Sequence, residues 1–282
     1  MDIKYYDERY YLTMIGIHER RILELWKESV NRDKDEEMNN YSPLIEEYNL
    51  YIKLISNLVE ELSLKDNSIS IALVISALIE SGTFSYGNFL KGSYDDILDT
   101  KLGLNVLNGM ACCRNVSCFI DDIFSELDRE CDILTVVKLE ENNQKKALTS
   151  KANHMINLIY YDNVPYGFDM LHNIGSLYYF KNAFEILPVD LKEETYMYYK
   201  PYIELVYQNR SFEYIKEKLK FLKENGKLAI TQEEFKGIIT ETDEKLCSNI
   251  SLVKDFLFDT NERMESINEK IKSMKRKNHK NI

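Results

Sequence analysis

Apolar positions in the first part of the chain recur at the spacing of a helix face. Ile15, Ile22, Leu23, Leu25 and Trp26 follow this period between Asp7 and Arg32 and predict one helix there. The polar run NRDKDEEMNNYSP, from Asn31 to Pro43, interrupts it and predicts a loop. A second helix is predicted from Pro43 to Leu62, with Leu44, Tyr48, Tyr51, Leu54 and Leu58 near one face and Pro43 suited to its first turn. The longest apolar run, ISIALVISALI from Ile69 to Ile79, falls short of the roughly 20 residues that cross a bilayer and predicts a buried helix.

Beyond it, SGTFSYGNF carries turn formers and aromatics, and Ser93 with Asp96 three residues on has the form of a helix start. From Cys112 to Leu127 the helical period returns, with Val116, Phe119, Ile120, Ile123, Phe124 and Leu127 inward. After Arg129 the pattern turns to β. CDILTVVKL is short and β-branched, and HMINLIYY and VPYGFDM flank Asp162 and Asn163 as two strands flank a hairpin turn. From Leu191 onward the pattern predicts helix alone. Leu246, Ile250, Val253, Leu257, Thr260, Met264, Ile267, Ile271 and Met274 form a heptad seam over four heptads. The preferred partner of that seam is the chain's own predicted helix from Ile203 to Lys223, and a homodimer through the C-terminal helix is the alternative. Three regions result: a helical one over 1–80, a mixed α+β core over 81–190, and a helical one over 191–282.

Composition narrows the function classes. A net charge of -11 argues against general nucleic-acid binding, and the lysines after Glu269 suit the end of a solvated helix. The start MDIKYYDERYY has charges and tyrosines where an export signal has a basic segment and an apolar run, so a cytoplasmic protein is expected. Five cysteines in a reducing compartment are packing residues or chemistry rather than a disulfide framework.

Chemistry is therefore sought by position. Cys112 and Cys113, in GMACCRNVS, stand at a predicted helix start, where unpaired amides and the helix dipole favour a thiolate; Cys118, Cys131 and Cys247 do not. A metal site from Cys112, Cys113 and Cys118 lacks the usual C-x-x-C spacing, so no metal or cofactor is expected. Among four histidines, His18 neighbours three charged residues and His279 lies in the basic tail, which leaves His154 and His172. A two-residue turn at Asp162 and Asn163 pairs Tyr161 with Val164, so paired positions sum to 325 and Asp169 falls opposite Ile156. That places Asp169 diagonally beside His154 on one face, roughly 7 to 8 Å away between Cα atoms. A carboxylate there can fix the imidazole tautomer and leave the other nitrogen for a thiol. His172 has no comparable carboxylate.

ACCRNVS and NHMINLIYYDNVPYGFD, with the lead-in SYGNF, resemble the signature regions of the transglutaminase-like superfamily of papain-type cysteine enzymes. The resemblance covers about Ser81 to Asp169 and departs from the usual glycine before the cysteine, where this chain has Ala111. It implies a papain-like core, a cysteine-bearing helix packed on a small antiparallel sheet, with helical extensions on both sides. It also implies Cys113 as nucleophile, His154 as general base and Asp169 as the orienting acid, acting on a peptide or side-chain amide of a protein through a thioester. Hydrolysis is favoured over transamidation because nothing marks an amine site. The backbone amide of Cys113 would hold the oxyanion, with Tyr86, Asn88 or Asn108 as second donor. The alternative is a catalytically silent scaffold that interacts through its C-terminal helix.

Overall fold

A computed structural model describes residues 7–31, 41–81, 101–107, 111–170, 176–189, 196–200 and 230–246, with isolated positions between 216 and 224. The chain divides into two compact units. The first holds Met1–Leu62, Ala77–Phe119 and Asn249–Ile282, and the second Ser63–Ser76 and Ile120–Ser248.

In the first unit, α1 (Glu8–Asn31) and α2 (Ser42–Glu61) pack through the faces that their periodicity predicts. Ile15, Ile22 and Trp26 on α1 are buried, as are Leu44, Tyr48, Ile55 and Leu58 on α2. Burying each such side chain contributes roughly 1.5 to 3 kcal/mol. His18 bridges to Glu47 between the two helices, Nδ1 to Oε1 at 2.5 Å, a structural use for a histidine set aside on sequence grounds. α3 (Ser68–Ser81), most of whose residues are counted in the second unit, is buried along the apolar run, so it is a core helix as predicted; the short α4 (Leu104–Leu107) precedes α5 (Cys113–Glu126), whose residues after Phe119 are likewise counted in the second unit. Phe119 of α5 lies against Tyr48 and Tyr51, with ring centroids 6.4 and 6.3 Å apart.

The second unit corrects the expected architecture. Its strands are β1 (Cys131–Leu139), β2 (His154–Tyr161), β3 (Val164–Asp169), β4 (Ser176–Phe180), β5 (Glu185–Pro188) and β6 (Tyr196–Tyr199). They are antiparallel neighbours in that order and close into a barrel. A papain-like helix on a small open sheet is thus replaced by a closed six-stranded barrel with flanking helices. β1 makes the closure, because it is long enough to serve two partners: Cys131 to Val136 pair with β2, and Val136 to Leu139 pair with β6. The expectation of helix alone after Leu191 fails at β6, where YMYY is too short to show a strand period yet pairs with both β1 and β5.

Alternate residues fill the barrel, as small barrels require. Leu134, Val136, Ile156, Leu158, Tyr178, Phe180, Ile186, Met197 and Tyr199 form its interior cluster. Gly167 faces the same space. A Cβ there would come within 2.8 Å of Ile156 Cδ1, so the position is small because the interior is full. Outside the barrel, a short helix α6 (Gln144–Thr149) joins β1 to β2, and Lys200 Nζ donates to the carbonyl oxygens of Ala147, Leu148 and Ser150 at its end. A last helix, α7 (Gln232–Lys245), begins with a capping box: Thr231 Oγ1 accepts from the Glu234 amide at 3.2 Å and Glu234 Oε2 from the Thr231 amide at 2.7 Å. Its Thr242 donates to Ser70 Oγ at 2.9 Å.

The predicted helix from 203 to 223, the seam beyond Leu246 with its proposed dimer, the basic tail, Ser93 with Asp96, and His172 lie outside the described residues. Among the described residues, no helix is long and apolar enough to cross a membrane.

Candidate active site

The hairpin of β2 and β3 sets the most specific geometry in the molecule. Asp162 and Asn163 have φ of 51° and 63°, the left-handed pair that a two-residue hairpin turn of the right twist needs. Asparagine and aspartate tolerate that region best among residues with a side chain. The turn pairs Tyr161 with Val164 and carries the register through Asn157 and Phe168, so paired positions sum to 325 as predicted.

One step beyond, Asp169 lies on the barrel's inner face beside the start of β2. His154 shares the phase of Ile156 and Leu158, both interior residues. The two side chains meet: His154 Nε2 is 2.8 Å from Asp169 Oδ2, with His154 8% and Asp169 2% exposed. A carboxylate only accepts, so Nε2 carries the hydrogen and Nδ1 is the nitrogen through which the ring can exchange a proton. Lys138, on the same inner face of β1, brings its Nζ to 3.9 Å from the same carboxylate oxygen. Ser176 pairs with Asp169 from β4. This end of the barrel therefore gathers a base, an acid and a cation in one layer.

The cysteine pair belongs to the first unit, at the start of α5. Cys112 precedes the helix and Cys113 is its first residue. The buried Asn115 holds the turn in place: its Oδ1 accepts from the Cys112 amide at 3.0 Å and its Nδ2 donates to the Leu102 carbonyl at 3.0 Å. The Cys112 Sγ lies 3.2 Å from the same Oδ1. The Cys112 thiol is pulled down to about 6, chiefly by a hydrogen bond from the Cys113 side chain. Burial opposes this, while the Arg114 and Asn115 amides and the Arg114 charge add to it. The backbone amides among these are the donors that a helix start leaves free to favour a thiolate. Cys112 is thus half-buried and electrostatically engaged, rather than simply packed under Cys113.

Cys131 differs in every respect. It is buried outside the barrel's interior face, accepts from Asn157 Nδ2 at 3.4 Å, and burial pushes its thiol well up. It is a packing residue. Among the described residues no group of three metal-binding side chains converges. The second oxyanion donors considered, Tyr86, Asn88 and Asn108, lie outside the described residues.

Sequence reasoning missed Lys138, Asn115 and Tyr199 as residues of interest. Lys138 follows from the alternation of β1 once its pairing with β2 is known; Tyr199 required the unforeseen β6. Asn115 was legible as an acceptor three residues into a helix, the position from which a side chain reaches back to the cap. Comparison of the chain with family models, with curated proteins and with solved structures gives no match.

Proposed function

We propose that this chain is a cysteine enzyme of the transglutaminase-like type that cleaves a peptide or side-chain amide. Cys113 is its nucleophile, His154 its general base and Asp169 the acid that orients the base. The observation that carries the reading is the buried hydrogen bond of His154 Nε2 to Asp169 Oδ2. An imidazole with one nitrogen held by a carboxylate is the orienting half of a nucleophilic triad.

The thiolate sulfur attacks the carbonyl carbon, the C–S bond forms, and the carbonyl electron pair moves to oxygen. The pair returns as the C–N bond breaks, and His154 gives a proton to the departing amine. Water, deprotonated by His154, then attacks the thioester carbonyl; the C–S bond breaks and a carboxylic acid leaves. Hydrolysis is the favoured outcome, since no residue marks a second amine site.

A second reading exchanges the two thiols. The acidity and hydrogen bonding of Cys112 favour it as the thiolate, with Cys113 donating to its sulfur. Incubation with 4-nitrophenyl acetate, followed by mass-spectrometric mapping of the acylated cysteine, tests both. Acylation at Cys113 that is lost in His154→Ala supports the first reading, and acylation at Cys112 supports the second. Absence of acylation, or equal slow labelling of all cysteines, leaves the silent scaffold.

A further inference from the structure

Cys112 and Cys113 are consecutive thiols, both half-buried at the start of α5 and both within the first unit. A half-buried sulfur requires no cavity to meet a reagent as small as a peroxide. The two side chains already engage each other, with the Cys113 thiol donating to the Cys112 sulfur. That sulfur has partners in either protonation state. Protonated, it donates to Asn115 Oδ1 at 3.2 Å; ionised, it accepts from Cys113 and from the Arg114 and Asn115 amides. A thiolate held in this way, and reachable from outside, is the form of cysteine that peroxides oxidise.

An oxidised sulfur becomes a disulfide only where a second thiol can reach it. Among the described cysteines, Cys113 is the one placed to do so for Cys112. Cys118 lies five residues beyond Cys113 in the same helix, a rise of about 7.5 Å, which exceeds the roughly 7 Å that a disulfide spans. Cys131 belongs to the second unit and is buried, with its thiol pushed well up. Across their trans peptide bond the Cys112 and Cys113 Cα atoms are about 3.8 Å apart, short of the usual disulfide separation of about 4.4 Å or more. A bridge between them closes under strain, and strained bridges are the readily reduced, regulatory kind.

We propose that Cys112 and Cys113 are a reversible redox couple, oxidised by hydroperoxides to a vicinal disulfide. The Cys112 thiolate attacks a peroxide oxygen; the S–O bond forms, the O–O bond breaks, and the departing oxygen takes a proton from solvent. Cys112 is then a sulfenic acid. The Cys113 sulfur attacks it, the S–S bond forms, the S–O bond breaks, and hydroxide leaves with the Cys113 proton as water. Overall the two thiols lose two electrons and two protons, and the peroxide is reduced to an alcohol and water, or to water alone. The couple does not rest on the cysteine-enzyme reading. If that reading holds, the disulfide occupies both candidate nucleophiles and switches the enzyme off.

The test treats the full chain with an equimolar amount of hydrogen peroxide at neutral pH and maps its cysteines by mass spectrometry without reduction. Trypsin isolates the pair in the peptide of residues 102–114, apart from Cys118. The expected peptide is lighter by two hydrogens and resists iodoacetamide until dithiothreitol is added. Cys112 should be consumed at least about ten-fold faster than Cys131. Two variants separate the steps. In Cys113→Ser, dimedone should trap a sulfenic acid on Cys112. In Cys112→Ser, which keeps a helix-capping side chain, oxidation of Cys113 should slow about ten-fold. Sulfinic acid at Cys112 beside a still alkylatable Cys113, a bridge to Cys118 or between chains, or one slow rate for all cysteines overturns the proposal. Acylation by 4-nitrophenyl acetate judges the enzyme reading separately: acylation without the disulfide strikes the couple alone, and the disulfide without acylation strikes the enzyme alone.

Discussion

His154 and Asp169 are fifteen residues apart in the chain and 2.8 Å apart in space, joined across a hairpin in which neither stands directly opposite the other. Their contact is a diagonal one, set by the left-handed pair Asp162 and Asn163 in the turn, six to nine residues away along the chain. A single residue added to that turn would move every later β3 side chain to the other face and break the pair.

Asp169→Asn is expected to keep the fold and lose the orientation. The amide presents an N–H as readily as a carbonyl to the ring, so the tautomer is no longer fixed. The corresponding change in serine proteases lowers turnover on the order of 10⁴-fold. Acylation by an activated ester should fall by a comparable factor, against a modest stability loss of about 1 to 3 kcal/mol for the altered buried bond. An unchanged acylation rate would remove Asp169 from the chemistry.

Cys112 predicts a pH dependence of its own. Its folded value of about 6 lies below the ordinary thiol value of 9.0, so between those limits the unfolded chain holds more protons than the folded one. Stability therefore rises with pH across that window, and its contribution is lost as pH falls through about 6. Denaturant midpoints measured at both ends should differ more for the wild type than for Cys112→Ser. Alkylation of Cys112 should likewise show an inflection near 6. Parallel pH profiles for the two proteins would count against the hydrogen-bonded thiolate.

Gly167→Ala tests the filling of the barrel. The new methyl would meet Ile156 Cδ1 at 2.8 Å, with Tyr178 Cβ at 3.5 Å and Ile186 Cγ2 at 3.6 Å behind it. Overpacking of this kind costs about 1 to 3 kcal/mol. Ile156→Val removes the offending atom, so the double variant should recover part of the loss, and a thermal-unfolding cycle would read the coupling. Additive losses would place the strain elsewhere.

The local pattern along β2 and β3 carried the register, the turn and the meeting of His154 with Asp169, because each depends on a few consecutive residues. The closure did not show in the same way. β6 has four residues, two of them interior and all apolar or aromatic, so no alternation of polar and apolar positions marks it. Its strand state comes from pairing with β1, more than fifty residues earlier, and with β5. Tertiary pairing of this kind overrides local preference. The cysteine pair divides similarly: a helix start was readable from the period of Val116, Phe119 and Ile120, whereas the acidity of Cys112 depends on where the Cys113, Arg114 and Asn115 groups point.

Lys200 decides how firmly that late strand is held. It follows β6 directly, its amide donates to the Thr135 carbonyl at 3.0 Å, and the Thr135 hydroxyl donates back to the Lys200 carbonyl. Its ammonium meanwhile serves carbonyls at the end of α6, with 3.0 Å to Ala147 and 2.9 Å to Leu148. One residue thus ties the closing strand to the helix that joins β1 and β2. Charged hydrogen bonds of this type contribute about 1.5 to 3 kcal/mol, and a helix C-terminus adds a favourable dipole term. Lys200→Met should therefore lower the unfolding free energy by roughly that amount. Amide exchange should quicken first in residues 144–150 and at Lys200, while α1 and α2 keep their protection. Faster exchange spread evenly over the chain would mean that Lys200 supports global stability alone and does not fasten the seam between β1 and β6.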